Sequence, residues 1–478
     1  MLSVEVCENA RLSRDARFDG KFFTAVITTG VFCRPICPAR PPKPENVTYY
    51  ENAELAQKSG FRPCKRCFPQ LAPNLPLPRK IKQITQAYYE NNYSLKKCAE
   101  QLETSERQIR RLFMQYYGLP PSEFFHQQRL LLSHKLLVST NLSITDVGFA
   151  AGFNSIRRFN EVILQTYKAS PSEVRGKKAQ TNKQHVTILL PYKAPFDWPL
   201  MLSFFCARKM SNIEDITSEY YFRSLKFDHC RGWIKVTHHE NKSALNLTVK
   251  LNNYSYLHQV ISRVRRMFDL DADMQLIHQH LKSHTALAAV VEKSPGLRLP
   301  GCWDIFEFSI RAILGQQISV KGATTLAQRI AEKYGEDVID VDQTNNIHVK
   351  KYFPSSSALM QADYQDIGLT RSRIATLQTW VTYFQKHESI FTKGLTIEEL
   401  ESTLTTLKGI GPWTVNYIGM RGLSDPDAFP SADLGIIKAL TVNDVKPKNK
   451  DILELAESWR PWRAYAAIYL WQSLAPQA

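Results

Sequence analysis

Apolar residues recur at helical spacing between residues 76 and 177, with Leu95, Cys98, Ala99 and Leu102 falling on one face of a 3.6-residue repeat. Two stretches of this region read as helix-turn-helix units. In SLKKCAEQLETSERQIRRLFMQYYG a short helix gives way to a turn near residues 103–105 and then to a second helix. In SITDVGFAAGFNSIRRFNEVILQTYKASPSEVR, Gly152 marks the turn. The pattern then changes. VTILL, GWIKVTHH and ALNLTVKL alternate or run apolar at strand length with β-branched residues, which predicts a small antiparallel sheet before about Arg263. Beyond it, long amphipathic helices return. The segment PQLAPNLPLPRK (69–80) carries four prolines, and GKKAQTNKQH (176–185) is polar and basic; both read as linkers. The expected domains are therefore 1–75, 76–177, a β part at 178–265 and a helical part at 266–478.

Length agrees, since 478 residues exceed one ordinary core and suggest roughly three domains at about 150 residues each. A formal charge of +16 points to a polyanion, nucleic acid before membrane, because no lipid anchor accompanies the charge. The N-terminus lacks an apolar signal region, and no apolar stretch approaches the ~18 residues of a membrane span, so a cytoplasmic protein without a membrane partner is expected. Nine cysteines in such a chain favour metal binding or thiol chemistry over a disulfide framework.

Cys33, Cys37, Cys64 and Cys67 supply that metal site: CRPIC and, after a gap, CKRC form the pairing of a four-thiolate tetrahedral Zn2+. Arg34, Arg40, Arg62, Lys65 and Arg66 flank it, favouring thiolate and attracting phosphate. On spacing alone this is equally a structural zinc that staples a small domain. The strings TTGVFCRPICPAR, NVTYY and GFRPCKRC, however, resemble the N-terminal domain of the Ada family over most of residues 14–70. The resemblance implies that Cys33 is both zinc ligand and acceptor of a methyl group from a DNA phosphotriester, with Cys37, Cys64 and Cys67 completing the ligands. Methylation would remove one negative charge and strengthen attraction to DNA.

The helical region from about Ile84 to Arg175 resembles the AraC-type DNA-binding domain, AAGFNSIRRF and ASPSEVR included. The resemblance implies sequence-specific operator binding, with Arg107, Arg110, Arg111, Arg157 and Arg158 early in the second helices of the two units. It also implies transcriptional regulation, with RNA polymerase as a further partner.

In LKGIGPWTVNYIGMR (407–421), Gly409 and Gly411 lie in a tight turn between helices, where backbone N–H groups can approach a phosphate. Asp433 follows in FPSADLGIIK, at a place where an acid most simply caps a helix. Hairpin, loop and aspartate together look like the HhH-GPD superfamily of base-excision glycosylases. From about Thr187 to Pro476 the chain is similar to the AlkA type of 3-methyladenine DNA glycosylase, through PFDWPLM, YYFRSL, PGLRLPGCWDIFE, RAILGQQISV and WRPWRAYAAIYLW. This resemblance implies a TATA-binding-protein-like β subdomain, a catalytic Asp433 and a base pocket of Trp413, Tyr417 and Trp471, aromatics that spacing alone would place equally in a core. It implies base flipping on double-stranded DNA and excision favoured by cation–π attraction. Strand-cleaving relatives place a lysine where this chain has Trp413, so simple hydrolysis is expected. Gln317 stands where the AlkA pattern has an apolar wedge, and the carbonyls of Thr405, Leu407 and Ile410 match those that hold a monovalent cation in similar hairpins. No PCHR follows the helix-turn-helix pair, so repair of O6-methylguanine is not predicted. Expected overall is a multidomain α+β chain: zinc domain, all-α double helix-turn-helix, antiparallel β subdomain, helical HhH-GPD domain. The competing reading is a zinc-containing regulator whose C-terminal region binds damaged DNA without catalysis.

Overall fold

A computed structural model describes the chain except for residues 1–2, 13, 15–19, 21, 38, 68, 70–80, 82–83, 86, 89–93, 118, 177–184, 228, 339–348, 392–394 and 475–478. Both expected linkers, 69–80 and 176–185, fall almost wholly outside the described residues. The chain divides into two compact units. One holds Met1–Pro191 with Glu240–Lys242 and Asn253–Gln259; the other holds Tyr192–His239, Ser243–Asn252 and Val260–Ala478. Among the described residues no helix is long and apolar enough to cross a membrane.

In the first unit four short strands form a sheet in the order Val47–Tyr50, Phe23–Val26, Val31–Cys33, Arg62–Pro63. The last pair is parallel and the others antiparallel. Phe23, Ala25 and Phe32 pack there with Ala56 of the helix Ala53–Lys58. The helical part runs Leu95–Gln101, Glu106–Tyr117, Pro121–Ser139, Ile144–Ala150, Ile156–Tyr167 and Pro171–Arg175. Serine hydroxyls start five of these six helices: Ser94, Ser105, Ser143, Ser155 and Ser170 accept the N–H of Lys97, Gln108, Asp146, Arg158 and Glu173. Each such cap stabilises its helix by about 1 kcal/mol. Cys98 and Ala99 are buried with Leu95 and Leu102 against the same core, as the periodicity predicts. Glu103 (φ +47°) and Gly152 (φ +83°) turn the chain between paired helices, at the places expected. A Cβ on Gly148 would come within 3.0 Å of Ile156 Cδ1 and 3.2 Å of Phe159, so this glycine lets the second pair close.

In the second unit Glu214–Ile216, Tyr220–Phe227, Cys230–His239 and Ala244–Leu251 pair antiparallel in succession. The last two carry the expected GWIKVTHH and ALNLTVKL, in a register running from Gly232 opposite Leu251 to His239 opposite Ala244. The period-2 pattern does not predict Tyr220–Phe227, because its residues 221–225 are all buried and no polar face alternates with the apolar one. Its Arg223 donates to the buried Glu307 carboxylate at 2.7 Å, and Arg311 lies 3.4 Å from the same carboxylate. This ionic cluster fixes the helix Ile305–Leu314 to the sheet. Helices from there to Arg463–Ser473 enclose a core that includes Trp380, Trp459 and Tyr469.

Candidate functional site

The parallel pairing in the first unit gathers the cysteines. Strand Val31–Cys33 ends on Cys33, and the N–H of Cys64 donates to the carbonyl of Phe32 at 2.9 Å, so CKRC is drawn alongside CRPIC. The four Sγ atoms all lie within 4.8 Å of one another, with Cys37 and Cys64 4.0 Å apart. Tetrahedral Zn–S bonds of about 2.3 Å imply S–S edges of about 3.8 Å, so a slight contraction fits this donor set to Zn2+. Hydrogen bonds from the other three thiols hold Cys64 far below the usual thiol range, whereas bonds with Cys37 and Cys64 push Cys33 up. A dication favours the thiolate at all four.

The sulfurs are not equivalent. The backbone N–H of Arg34 donates to Cys67 Sγ at 3.3 Å and that of Arg66 to Cys64 Sγ at 3.4 Å, and both of these cysteines are buried. Such bonds draw charge from the acceptor. Cys33 and Cys37 are both partly exposed and receive no backbone N–H among the described residues, which sets these two sulfurs apart from Cys64 and Cys67. Arg40, Arg62, Lys65 and Arg66 are exposed beside the cluster, whereas Arg34 is buried with its guanidinium on the carbonyl of Cys67.

On the helical part of the first unit, Arg107, Arg110, Arg111, Arg157 and Arg158 are all exposed. Arg110 pairs with Glu106 at 2.7 Å, and Arg157 and Arg158 share Glu161 at 3.1 and 3.5 Å. Exposed pairs of this kind cost little to break, so these guanidiniums can exchange a carboxylate for a phosphate.

The second site begins at the hairpin. The helix Ile397–Leu404 ends, Gly409 turns the chain at φ +88°, and Gly411 starts the helix Pro412–Tyr417. A Cβ at Gly409 would fall 2.1 Å from Thr376 Oγ1, so glycine is required both by conformation and by the neighbouring helix Arg371–His387. A Cβ at Gly411 would meet nothing, which leaves open space on that side of the hairpin. Of the three carbonyls matched to a monovalent cation, that of Leu407 accepts the Ile410 N–H at 3.0 Å.

Asp433 caps the helix Leu434–Ala439, its Oδ1 accepting from Gly435 N at 2.8 Å and Ile436 N at 3.3 Å. It does more than cap. Trp471 Nε1 donates to Oδ1 and Trp413 Nε1 to Oδ2, each at 2.9 Å. Trp413 stacks on Tyr417 (centroids 5.1 Å, 15° between planes), and Tyr417 meets Trp471 at 6.2 Å and 62°. The carboxylate and all three aromatics thus form one cluster, each partly exposed rather than sealed in the core. Gln317 stands apart from these contacts, exposed in the turn after Ile305–Leu314 with φ +57°.

Sequence reasoning missed four contributors. Arg421 donates to Tyr417 Oη at 2.8 Å and anchors itself on the carbonyl of Pro300 at 2.9 Å. Arg208 adds a second cation near the same phenol; burial pushes Tyr417 up, but Arg421 and Arg208 together hold it below the usual tyrosine range. Phe308 packs on the Tyr417 ring at 5.2 Å. Gly435 admits Trp471, since a Cβ there would lie 2.9 Å from the indole and 3.0 Å from Asp433 Oδ1. The signal for Arg421 was its place four residues after Tyr417 on a helical stretch, and Gly435 lies two residues after Asp433 in FPSADLGIIK; Arg208 and Phe308 come from segments brought in by folding.

Residues 6–70 match the metal binding domain of Ada, residues 98–177 a helix-turn-helix domain and residues 187–304 the AlkA N-terminal domain. The chain is 34% identical to the probable bifunctional transcriptional activator/DNA repair enzyme AlkA of Mycobacterium tuberculosis, over 98% of this chain and 96% of that one. It is 32% identical to DNA-3-methyladenine glycosylase 2 of Escherichia coli, over 59% of this chain and 95% of the relative. Among solved structures, 3-methyladenine DNA-glycosylase from Archaeoglobus fulgidus superposes with a TM-score of 0.52 at 21% identity, covering 60% of this chain and 99% of that one, a likeness of fold.

Proposed function

Because the chain belongs to the family of bifunctional transcriptional activators and DNA repair enzymes that join an Ada-type zinc domain and a helix-turn-helix domain to an AlkA-type glycosylase, we propose that it repairs alkylated DNA by two separate chemistries. The first is monofunctional hydrolysis of the bond between sugar and alkylated base, 3-methyladenine and its like. The observation that carries it is the Asp433 carboxylate, clamped by two indole N–H groups and set against stacked aromatic faces. The flipped, cationic base is drawn to Trp413, Tyr417 and Trp471. As the glycosidic bond breaks, positive charge grows on the sugar, and Asp433, fixed in place before reaction, stabilises it and orients the attacking water. Trp413 offers no amine to the sugar, so the strand stays intact. Gly409 and Gly411 present the hairpin to the phosphate, and Gln317 fills the space that the base leaves.

The second chemistry belongs to Cys33. Zn2+, held by Cys33, Cys37, Cys64 and Cys67, keeps the sulfurs as thiolates when bound. The Cys33 sulfur attacks the methyl carbon of a phosphotriester; the S–C bond forms, the C–O bond breaks and the phosphodiester leaves as its anion. One negative charge is lost from the cluster, so repulsion from DNA falls and the exposed arginines of the helix-turn-helix pair engage an operator. RNA polymerase is the expected further partner, and the cytoplasm the place of work.

The test is release of bases from alkylated duplex by the full chain and by Asp433→Asn, with intact-protein and peptide mass spectrometry on the same samples. Wild type releases 3-methyladenine, Asp433→Asn loses nearly all release while binding DNA, and one methyl group appears on Cys33. Undiminished release by the variant would remove Asp433 from the chemistry. No release by wild type would leave the competing reading, a regulator that binds damage without catalysis, and a methyl group on no cysteine would reduce the zinc site to a staple.

A further inference from the structure

Residues 315–319 join the helices Ile305–Leu314 and Val320–Tyr334. Gln317 sits in this turn in the left-handed region, at φ +57°, and its side chain is exposed. A non-glycine residue keeps that conformation only where its neighbours hold it. Ser319 holds one side by capping the following helix, accepting from Gly322 N at 3.1 Å.

The other side is held by Gln316 and reaches a different element. The Gln316 side-chain amide nitrogen donates to the Gly409 carbonyl and to Thr414 Oγ1, each at 2.9 Å. Gly409 is the turn of the hairpin and Thr414 lies in the helix that follows it. The backbone carbonyl of Gln316 accepts from the Arg373 guanidinium, on the helix against which Gly409 is packed through Thr376. Turn, hairpin and helix therefore meet at one residue, the hairpin through the Gln316 carboxamide and the helix Arg371–His387 through its backbone carbonyl. An aspartate or serine is too short to span two acceptors in this way, and a carboxylate would face the Gly409 carbonyl with no proton to offer.

We propose that Gln316 is a positioning residue that locks the Gln317 turn to the hairpin, so that gripping the phosphate backbone and filling the gap left by the flipped base occur as one event. The inference rests on the glycosylase reading above and adds to it a residue with no direct contact with the base. In the free protein the lock holds Gln317 pointing outward. On DNA it transmits the hairpin's grip, at Gly409 and Gly411, to the turn that enters the stack. Without it the hairpin still binds backbone, but the base is extracted less often.

The experiment compares wild type, Gln316→Ala and Gln316→Glu in the full chain on an alkylated duplex with 2-aminopurine beside the lesion. Single-turnover excision, the fluorescence rise on base extraction, affinity for undamaged duplex and thermal unfolding are read together. For Gln316→Ala we expect excision to fall roughly 10- to 100-fold, the scale on which misplacement of a positioned group acts, with a smaller fluorescence rise. Undamaged-duplex affinity should stay within about twofold, because phosphate contacts supply it. Gln316→Glu should be as slow as the alanine variant at pH 8 and recover towards wild type as pH falls towards the carboxyl range, about 4 to 5, because the protonated acid regains a donor for Gly409. Wild-type excision and fluorescence in Gln316→Ala would overturn the proposal. So would a fall in excision that tracks undamaged-duplex affinity and unfolding temperature, with a flat Gln316→Glu ratio, since that marks mere structural support. Absence of base release from wild type would instead defeat the underlying glycosylase reading.

Discussion

At Gly409 two separate demands fall on one residue, and substitution can separate them. The left-handed conformation alone costs a residue bearing a Cβ about 1–2 kcal/mol, and at this position the added atom also strikes Thr376 Oγ1 at 2.1 Å. Gly409→Ala is therefore expected to destabilise by about 2 kcal/mol or more and to weaken DNA binding, as the hairpin withdraws from the helix Arg371–His387. Combining it with Thr376→Ala should return the steric part and leave the conformational part. Thermal unfolding and duplex affinity of the two single variants and the double variant measure this split, and strict additivity would mean that the two residues do not press on each other. Gly411 is the control, because a Cβ there meets nothing and Gly411→Ala should leave stability nearly unchanged.

The elements divide by how much of their reason for existing is local. The helix-turn-helix helices are legible because a serine starts five of them and their apolar residues keep one face. The CRPIC and CKRC pair is legible because thiolate spacing is itself the chemistry. Tyr220–Phe227 is not, since a strand buried on both faces loses its alternation, and the arginine within it reads as surface until Glu307 is brought beneath it. Asp433 was legible as a helix cap, and it caps Leu434–Ala439, but the two indoles that clamp it come from elements 20 and 38 residues away. The helix Arg463–Ser473, which carries Trp471, is tied down in another way that sequence conceals. Its Tyr465 hydroxyl donates to Asp269 at 2.9 Å, Leu299 N donates to the same oxygen at 3.2 Å, and burial pushes this carboxyl up to about 7. The folded state thus binds the proton more tightly than the unfolded chain does. The stability it contributes is full below about pH 4 and is lost as pH rises through about 7. Wild type is expected to melt at a lower temperature at pH 8 than at pH 5.5, and Asp269→Asn, which keeps the neutral form and tolerates the left-handed backbone at φ +52°, should flatten that dependence. Parallel pH curves for the two proteins would exclude Asp269 as the source.

For the whole molecule the division into two compact units sets what metal loss can do. The sheet of the first unit has strands of two to four residues over a small apolar cluster of Phe23, Ala25, Phe32 and Ala56, too little buried surface to hold it without a cross-link. Four thiolates on Zn2+ supply that cross-link, and metal binding there is folding free energy on the scale of about 10–16 kcal/mol in small zinc domains. The second unit holds its own large core and ionic cluster, none of it ligated by Cys33, Cys37, Cys64 or Cys67. A strong chelator is therefore expected to release one Zn2+ per chain, unfold the sheet around the cysteines and abolish methyl acceptance by Cys33, while base release from alkylated duplex continues at close to its original rate. Metal release read with a chromogenic chelator, near-ultraviolet circular dichroism and base release in the same sample test this together. The charge on the chain makes salt a necessary control, because at +16 much of the affinity for DNA comes from phosphate contacts, and apo and zinc-loaded protein must be compared at one ionic strength. If base release fell in step with zinc loss at constant salt, the two chemistries would not be separable, and the second unit would depend on the first for its active conformation.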